Sequence, residues 1–131
     1  MAASDLVLVD TCEWVPFFNR PRSREKRAID ELLDDDRAAI VSPILAEVLI
    51  GFRRDEPADW VASVLRGLHF LQITWDEWRL AAQIGRRLAA KGRVLPLSEL
   101  AVAAVARRRG AAVCTSDPHF DLIADLQRHQ T

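Results

Sequence analysis

The sequence predicts an α/β fold: a mostly parallel central sheet of four to five strands, covered by helices on both faces. Two observations carry this. Short apolar runs over 6–9, 38–41 and 111–114 do not alternate with polar residues, as in strands buried on both sides. Between them lie longer segments with apolar residues at helical spacing. Strands and helices therefore take turns, and right-handed crossovers make such a sheet parallel. A chain of 131 residues suits one domain, assigned to 1–131, that buries roughly two thirds of its unfolded surface.

The elements follow in order. After the strand over 6–9, residues 13–19 form a short helix or turn, with Trp14, Phe17 and Phe18 as its apolar part and Pro21 as its break. The segment RPRSREKR leads into a helix through about Leu33. After the second strand, Ser42 and Pro43 supply an N-cap and a first-turn proline for a helix running to about Arg54. Residues 55–57 read as a break, and 58–68 as a helix with Trp60, Val61, Val64, Leu65 and Leu68 at helical spacing. Residues 69–74 form the third strand, and 75–91 a long amphipathic helix closed by Gly92. A helix over 98–109 ends at Gly110, and the strand over 111–114 follows. Pro118 opens a short helix, and the polar tail 125–131 either frays or adds a last strand. Trp60, Trp75 and Trp78 are expected to pack in the core, with an interface as the other use for them.

Composition narrows the function classes. Hydrophobic residues make up 50% and charged ones 28%, ordinary for a soluble globular protein. A net charge of −1 gives no global attraction to nucleic acid, so any basic surface is local. One candidate is the cluster Arg20, Arg22, Arg24, Lys26 and Arg27, read either as a solvated helix face or as a phosphate-contacting edge. Cys12 and Cys114 lie far apart beside apolar runs; they form neither a disulfide framework nor a zinc pattern, and read as small hydrophobes in a reducing compartment. No stretch resembles a signal peptide or approaches a membrane span, so the chain reads as cytoplasmic with no membrane partner.

The informative signal is acids standing alone in apolar sequence. Asp10 is the only charged residue from Leu6 to Cys12, Glu47 the only one from Ile40 to Phe52, and Glu99 the only one from Val94 to Ala106. Asp117 follows an uncharged run from Gly110 to Ser116. Two of these acids follow buried strands and two sit in buried helices, so all four are expected to be buried. Burying a lone carboxylate is costly unless it gains a proton or a cation. Strand ends and helix starts of a parallel sheet converge on one edge, which lets the four meet. Oxygen ligands without a Cys or His pattern suit a hard ion, Mg²⁺ or Mn²⁺, and such ions support phosphodiester hydrolysis. Each acid also has a local reading. Asp10 and Asp117 make good helix caps, and Glu99 suits a first turn, where the helix dipole favours an anion. Glu47 lies past the first turn and has no such explanation.

Four blocks, VLVDTCEWV, SPILAEVLIG, LPLSELAVAAVA and TSDPHF, resemble in order and spacing a PIN-domain ribonuclease, more narrowly a VapC-type toxin of bacterial toxin–antitoxin pairs. The blocks span Val7 to Phe120. The resemblance implies a PIN-like fold and Asp10, Glu47, Glu99 and Asp117 as catalytic, metal-holding acids. Glu99 departs from the family's usual Asp, and Cys12 from its frequent Ser. Thr11 and Thr115 fall where they support the site, and His119 reads as structural or as a substrate-edge residue. The implied activity is endoribonucleolytic, with tRNA or rRNA as substrate, a VapB-type antitoxin as partner, and homodimerisation. Asp10, Glu99 and Asp117 would be direct ligands, and Glu47 a ligand or the group orienting the attacking water. Arg20, Arg22, Arg24, Arg53 and Arg54 would hold phosphates.

Two other classes remain open. A catalytically weak or silent module on the same fold would bind RNA or protein without turnover. A phospho-acceptor domain also ends a strand in VLVD, but it needs a Lys near a later strand end, and CTSDPHF has none.

Overall fold

The computed structural model describes residues 5–130. Its centre is a five-stranded sheet in the order β3-β2-β1-β4-β5, every neighbouring pair parallel. The strands are β1 (Val7–Val9), β2 (Ala38–Ile40), β3 (His69–Phe70), β4 (Ala112–Cys114) and β5 (Gln127–Arg128). The helices are α1 (Thr11–Asn19), α2 (Arg24–Asp34), α3 (Ser42–Ile50), α4 (Asp55–Leu65), α5 (Trp75–Ala89) and α6 (Leu97–Arg109), with a 3-10 helix over Pro118–Leu122. The mostly parallel sheet with helices around it is the expected α/β architecture. The last strand lies within the polar tail, whose final residue, 131, falls outside the described residues, as do 1–4.

β1 occupies the middle of the sheet, and its residues are at most 1% exposed, which explains the unbroken apolar run. The chain moves from β1 to β2 to β3, then returns past β1 to β4. That reversal makes the gap between the carboxyl ends of β1 and β4 a topological switch point, where open α/β sheets bind their ligands. Right-handed crossovers set α1–α4 on one face of the sheet and α5–α6 on the other.

α6 is buried along Ser98–Ala106. Gly85 lets α5 come close to it: a Cβ there would lie 2.9 Å from Leu100 Cδ1. Gly110 ends α6 in the left-handed region, φ 68°, the conformation a C-terminal glycine adopts most cheaply. Glu77 and Arg109 pin the other end of the α5–α6 pair. Arg109 donates to both Glu77 oxygens at 2.7 and 2.8 Å. Burial alone would raise the Glu77 pKa, but the guanidinium and the Thr74 cap overcome it and hold the carboxylate low.

Several boundaries differ from expectation. α1 begins at Thr11 and carries Pro16 inside it. α3 stops at Ile50 rather than Arg54, and α4 starts at Asp55. Asp55, Glu56 and Pro57 look like a break yet suit a first turn, where acids favour the dipole and the proline's missing N–H costs nothing. β3 is two residues long. Trp60, Trp75 and Trp78 do not enter the core: they are 62%, 79% and 36% exposed. α4 buries Val61 and Leu65 instead, and α5 buries Ala81, Ile84 and Leu88. The core tryptophan is Trp14, fully buried, its Nε1 donating to the Val9 carbonyl at 3.1 Å. No helix among the described residues is long and apolar enough to cross a membrane.

Candidate active site at the carboxyl edge of the sheet

Asp10 leaves the end of β1, and its backbone N–H bonds to the carbonyl of Cys114 at the end of β4, 3.0 Å away. It takes the N-cap position of α1 but makes no side-chain capping bond. Its Oδ2 turns to the switch point and accepts from Thr115 Oγ1 at 2.9 Å and Cys12 Sγ at 3.5 Å. The cap reading therefore fails for Asp10. Thr115 follows β4 and also takes the Asp117 backbone N–H at 3.0 Å, so one threonine hydroxyl ties both aspartates to the same strand end. Asp117 does cap: its Oδ1 accepts from the His119 backbone N–H at 2.9 Å, which leaves the other oxygen free of that bond.

Glu99 lies in the first turn of α6, 7% exposed. Both its oxygens face His119 Nδ1, at 2.8 and 3.1 Å. Glu47 on α3 accepts from Thr11 Oγ1 at 2.8 Å and from Ser98 Oγ at 2.7 Å. The expectation that all four acids are buried is corrected at Glu47, which is exposed, and in part at Asp117, which is half-buried. α3 is apolar on nearly every side, yet it buries only Ile44 and Val48 fully, and Ile50 too is 80% exposed.

The four acids line one cleft of about 390 Å³ together with Thr11, Cys12 and Ser98, and no lysine or arginine lines it. The electrostatics follow. Burial raises the Asp10 pKa against the bonds from Thr115, the Thr11 backbone and Cys12, and the charge of Asp117 adds to the rise. Burial, and then a hydrogen bond shared with Asp117, push Glu99 up to about 7, with His119 opposing. Burial also works to raise Asp117, but the bonds from Glu99 and from the His119 backbone outweigh it, and its pKa falls. Burial and mutual repulsion thus drive the Glu99 and Asp117 pKa values apart, Glu99 upward and Asp117 downward. This is the pattern of two carboxylates held close together, and a bound cation would favour the ionised form of both. The donors that line the cleft are carboxylate and hydroxyl oxygens, apart from the Cys12 thiol, a set that fits a hard divalent ion.

The expected supports are in place: Thr11 bonds Glu47, and Thr115 bonds Asp10. The arginines are not. Arg20, Arg22, Arg24, Arg53 and Arg54 are exposed and none lines the acidic cleft. Arg20 and Arg22 line a separate shallow concavity of about 470 Å³. Closeness in sequence to Asp10 did not become closeness in space, because α1 carries the chain away from the sheet edge.

Two residues near the site, Ser98 and Glu13, were not singled out from sequence, and for a third, His119, the sequence offered a structural or substrate-edge role but no partner. Ser98 holds Glu47, but a serine at a helix start reads only as a cap. His119 meets Glu99 across 20 residues of chain. Glu13 is 1% exposed, its Oε2 without a hydrogen-bond partner among the described residues. Burial raises its pKa, with a Ser116 bond opposing. The signal was present, since Glu13 interrupts the apolar run between Cys12 and Trp14.

The family profile described as PIN domain matches residues 7–126. Ribonuclease VapC11 of Mycobacterium tuberculosis is 30% identical over 129 residues, covering 95% of this chain and 96% of the relative. Among solved structures, VapBC2 of Rickettsia felis bound to a promoter DNA fragment aligns with TM-score 0.80 at 19% identity, over 95% of this chain and 97% of that one. DNA-bound VapBC of Salmonella typhimurium aligns with TM-score 0.75 at 23% identity, over 98% of each chain.

Proposed function

This chain belongs to the PIN-domain family, among its VapC ribonucleases, and we propose that it is the toxin of a toxin–antitoxin pair, hydrolysing RNA phosphodiester bonds with Mg²⁺ or Mn²⁺. The observation that carries the reading is the cleft itself: Asp10, Glu47, Glu99 and Asp117 converge from separate segments with no cation of the chain among the cleft's lining residues.

Asp10, Glu99 and Asp117 would hold the ion, and Glu47 would hold either it or the attacking water. When bound, such an ion lowers the pKa of water and balances charge on the phosphoryl oxygens. The chain's own residues do the rest. Thr115 fixes the rotamer of Asp10 through the 2.9 Å bond. Thr11 and Ser98 aim Glu47 into the cleft from two helices, so an exposed carboxylate keeps one orientation. With Glu99 ionised, the cluster repels bare phosphate and admits it only with a counter-cation. Glu99 in place of the family's usual Asp keeps the charge and reaches one methylene further. Cys12 puts a thiol, rather than a hydroxyl, 3.5 Å from Asp10.

Partners follow from the same reading. The substrate is structured RNA, tRNA or rRNA, with Arg20, Arg22, Arg24, Arg53 and Arg54 contacting phosphates outside the cleft. A VapB-type antitoxin and a second copy of the chain are the protein partners. The exposed Trp60, Phe70, Trp75 and Trp78 support protein contacts, since large apolar side chains left in water are common at interfaces. A single domain over 1–131 completes the proposal.

The test is Asp10→Asn. Cleavage of a total tRNA and rRNA pool disappears, while the thermal midpoint without metal stays or rises, because burial and repulsion no longer act on a charge. Full cleavage by the variant would refute the reading.

A further inference from the structure

His119 does not line the cleft but contacts two acids that do, Glu99 and Asp117, with its side chain 45% exposed. Nδ1 lies 2.8 and 3.1 Å from the two oxygens of Glu99 and 3.5 Å from Asp117 Oδ1. Each of the three residues offers a ligand atom, and these atoms all lie within 4.8 Å of one another. Metal bonds of about 2.1 Å meeting at right angles place neighbouring ligand atoms about 3 Å apart. The observed separations are close to that edge. The ring is delivered by a fixed backbone: the His119 N–H bonds Asp117 Oδ1 at 2.9 Å, and the Asp117 N–H bonds Thr115 Oγ1 at 3.0 Å.

Resting on the metal-site reading above, we propose that His119 is a nitrogen ligand to the ion held by Glu99 and Asp117, and that it makes the site prefer Mn²⁺ to Mg²⁺. Imidazole suits transition ions, whereas Mg²⁺ takes oxygen and keeps its waters. A site of carboxylates alone has no such preference built in. The competing role for His119 is a positioning hydrogen bond to Glu99, which would leave the ion's ligands all oxygen.

The test uses the full chain loaded with Mn²⁺ alone. Electron spin echo modulation of the frozen Mn²⁺ protein reports whether an imidazole nitrogen is bonded to the ion. The wild type shows that modulation and His119→Gln loses it. Titration followed by the free Mn²⁺ resonance shows affinity falling roughly tenfold or more in the variant, while Mg²⁺ affinity, read by competition, moves far less. Mn²⁺ bound without nitrogen modulation overturns the assignment and leaves the metal reading standing. Modulation that persists in His119→Gln also overturns it, since it would come from His69 or His129, the other two histidines. A wild type that takes up neither ion overturns the metal reading, and the assignment with it.

Discussion

Ser98 donates its hydroxyl to Glu47 Oε2 at 2.7 Å, joining the first turn of α6 to α3 across the mouth of the cleft. Glu47 is exposed, and without Ser98 only the Thr11 bond, to its other oxygen, would hold it. Ser98→Ala is therefore expected to cut RNA cleavage by about tenfold while costing only about 1 kcal/mol of stability, the net worth of one hydrogen bond. Turnover and urea denaturation measured side by side check the split; equal loss in both would mean that Ser98 matters only for folding.

The Glu99–Asp117 pair predicts the pH dependence of the metal-free protein. Glu99 titrates near 7 in the folded state against 4.5 when free. A raised carboxyl pKa means that the folded state binds the extra proton, so its contribution is full below about pH 4.5 and is lost as pH rises to about 7. Asp10 shifts in the same direction. Asp117 is lowered, so its contribution is full above its ordinary 3.8 and is lost only as pH falls below it, outside that window. Thermal midpoints without metal should fall from pH 5 to about 7, and Glu99→Gln should flatten that slope. Added Mn²⁺ should reverse it, because the ion binds the ionised form.

Glu13 predicts a variant more stable than the parent. Its Oε2 is buried without a partner among the described residues, and a buried polar atom without a bond costs about 1–3 kcal/mol. Glu13→Met should be neutral or stabilising by up to about 2 kcal/mol. The gain should grow as pH rises, since burial opposes ionisation of the wild-type acid. Chemical denaturation at pH 6 and pH 8.5 tests both statements.

The Glu77–Arg109 pair is structural, far from the cleft lining. Arg109→Ala would leave Glu77, whose side chain is 3% exposed, ionised and unpaired. A cost of about 3–5 kcal/mol is expected, with Mn²⁺ affinity at fixed folded protein unchanged. A loss of affinity instead would tie this end of α6 to the site.

Phosphate contacts outside the cleft predict a salt signature. Removing one such arginine, as in Arg22→Ala, should lower the slope of log affinity against log salt by about 0.7 for single-stranded RNA. An unchanged slope would return the cluster to a solvated helix face.

Much of this was legible in the chain, and the reasons differ by residue. Leu6 to Val9 could be read as a central strand because a parallel strand buried on both faces has no polar alternation to confuse it. Asp10, Glu99 and Asp117 stood out because charge inside an apolar run needs a partner. Glu47 was found for a partly wrong reason: an apolar helix suggests burial all round, yet α3 fully buries only Ile44 and Val48 and leaves Glu47 and Ile50 exposed. Trp60, Trp75 and Trp78 misled in the opposite sense, because helical spacing marks a face without saying whether this chain covers it. Ser98 and the Glu77–Arg109 pair were illegible, and His119 was read as structural or substrate-edge without its partner Glu99, since each acts through a residue 20 to 51 positions away. Only the fold brings such pairs together.

The most direct measurement is cleavage of a structured RNA pool by the wild-type protein stripped with a chelator, then supplied with Mg²⁺ or Mn²⁺. The account predicts no cleavage while the chelator is in excess and recovery when either ion is returned. Undiminished cleavage in the chelator would contradict it.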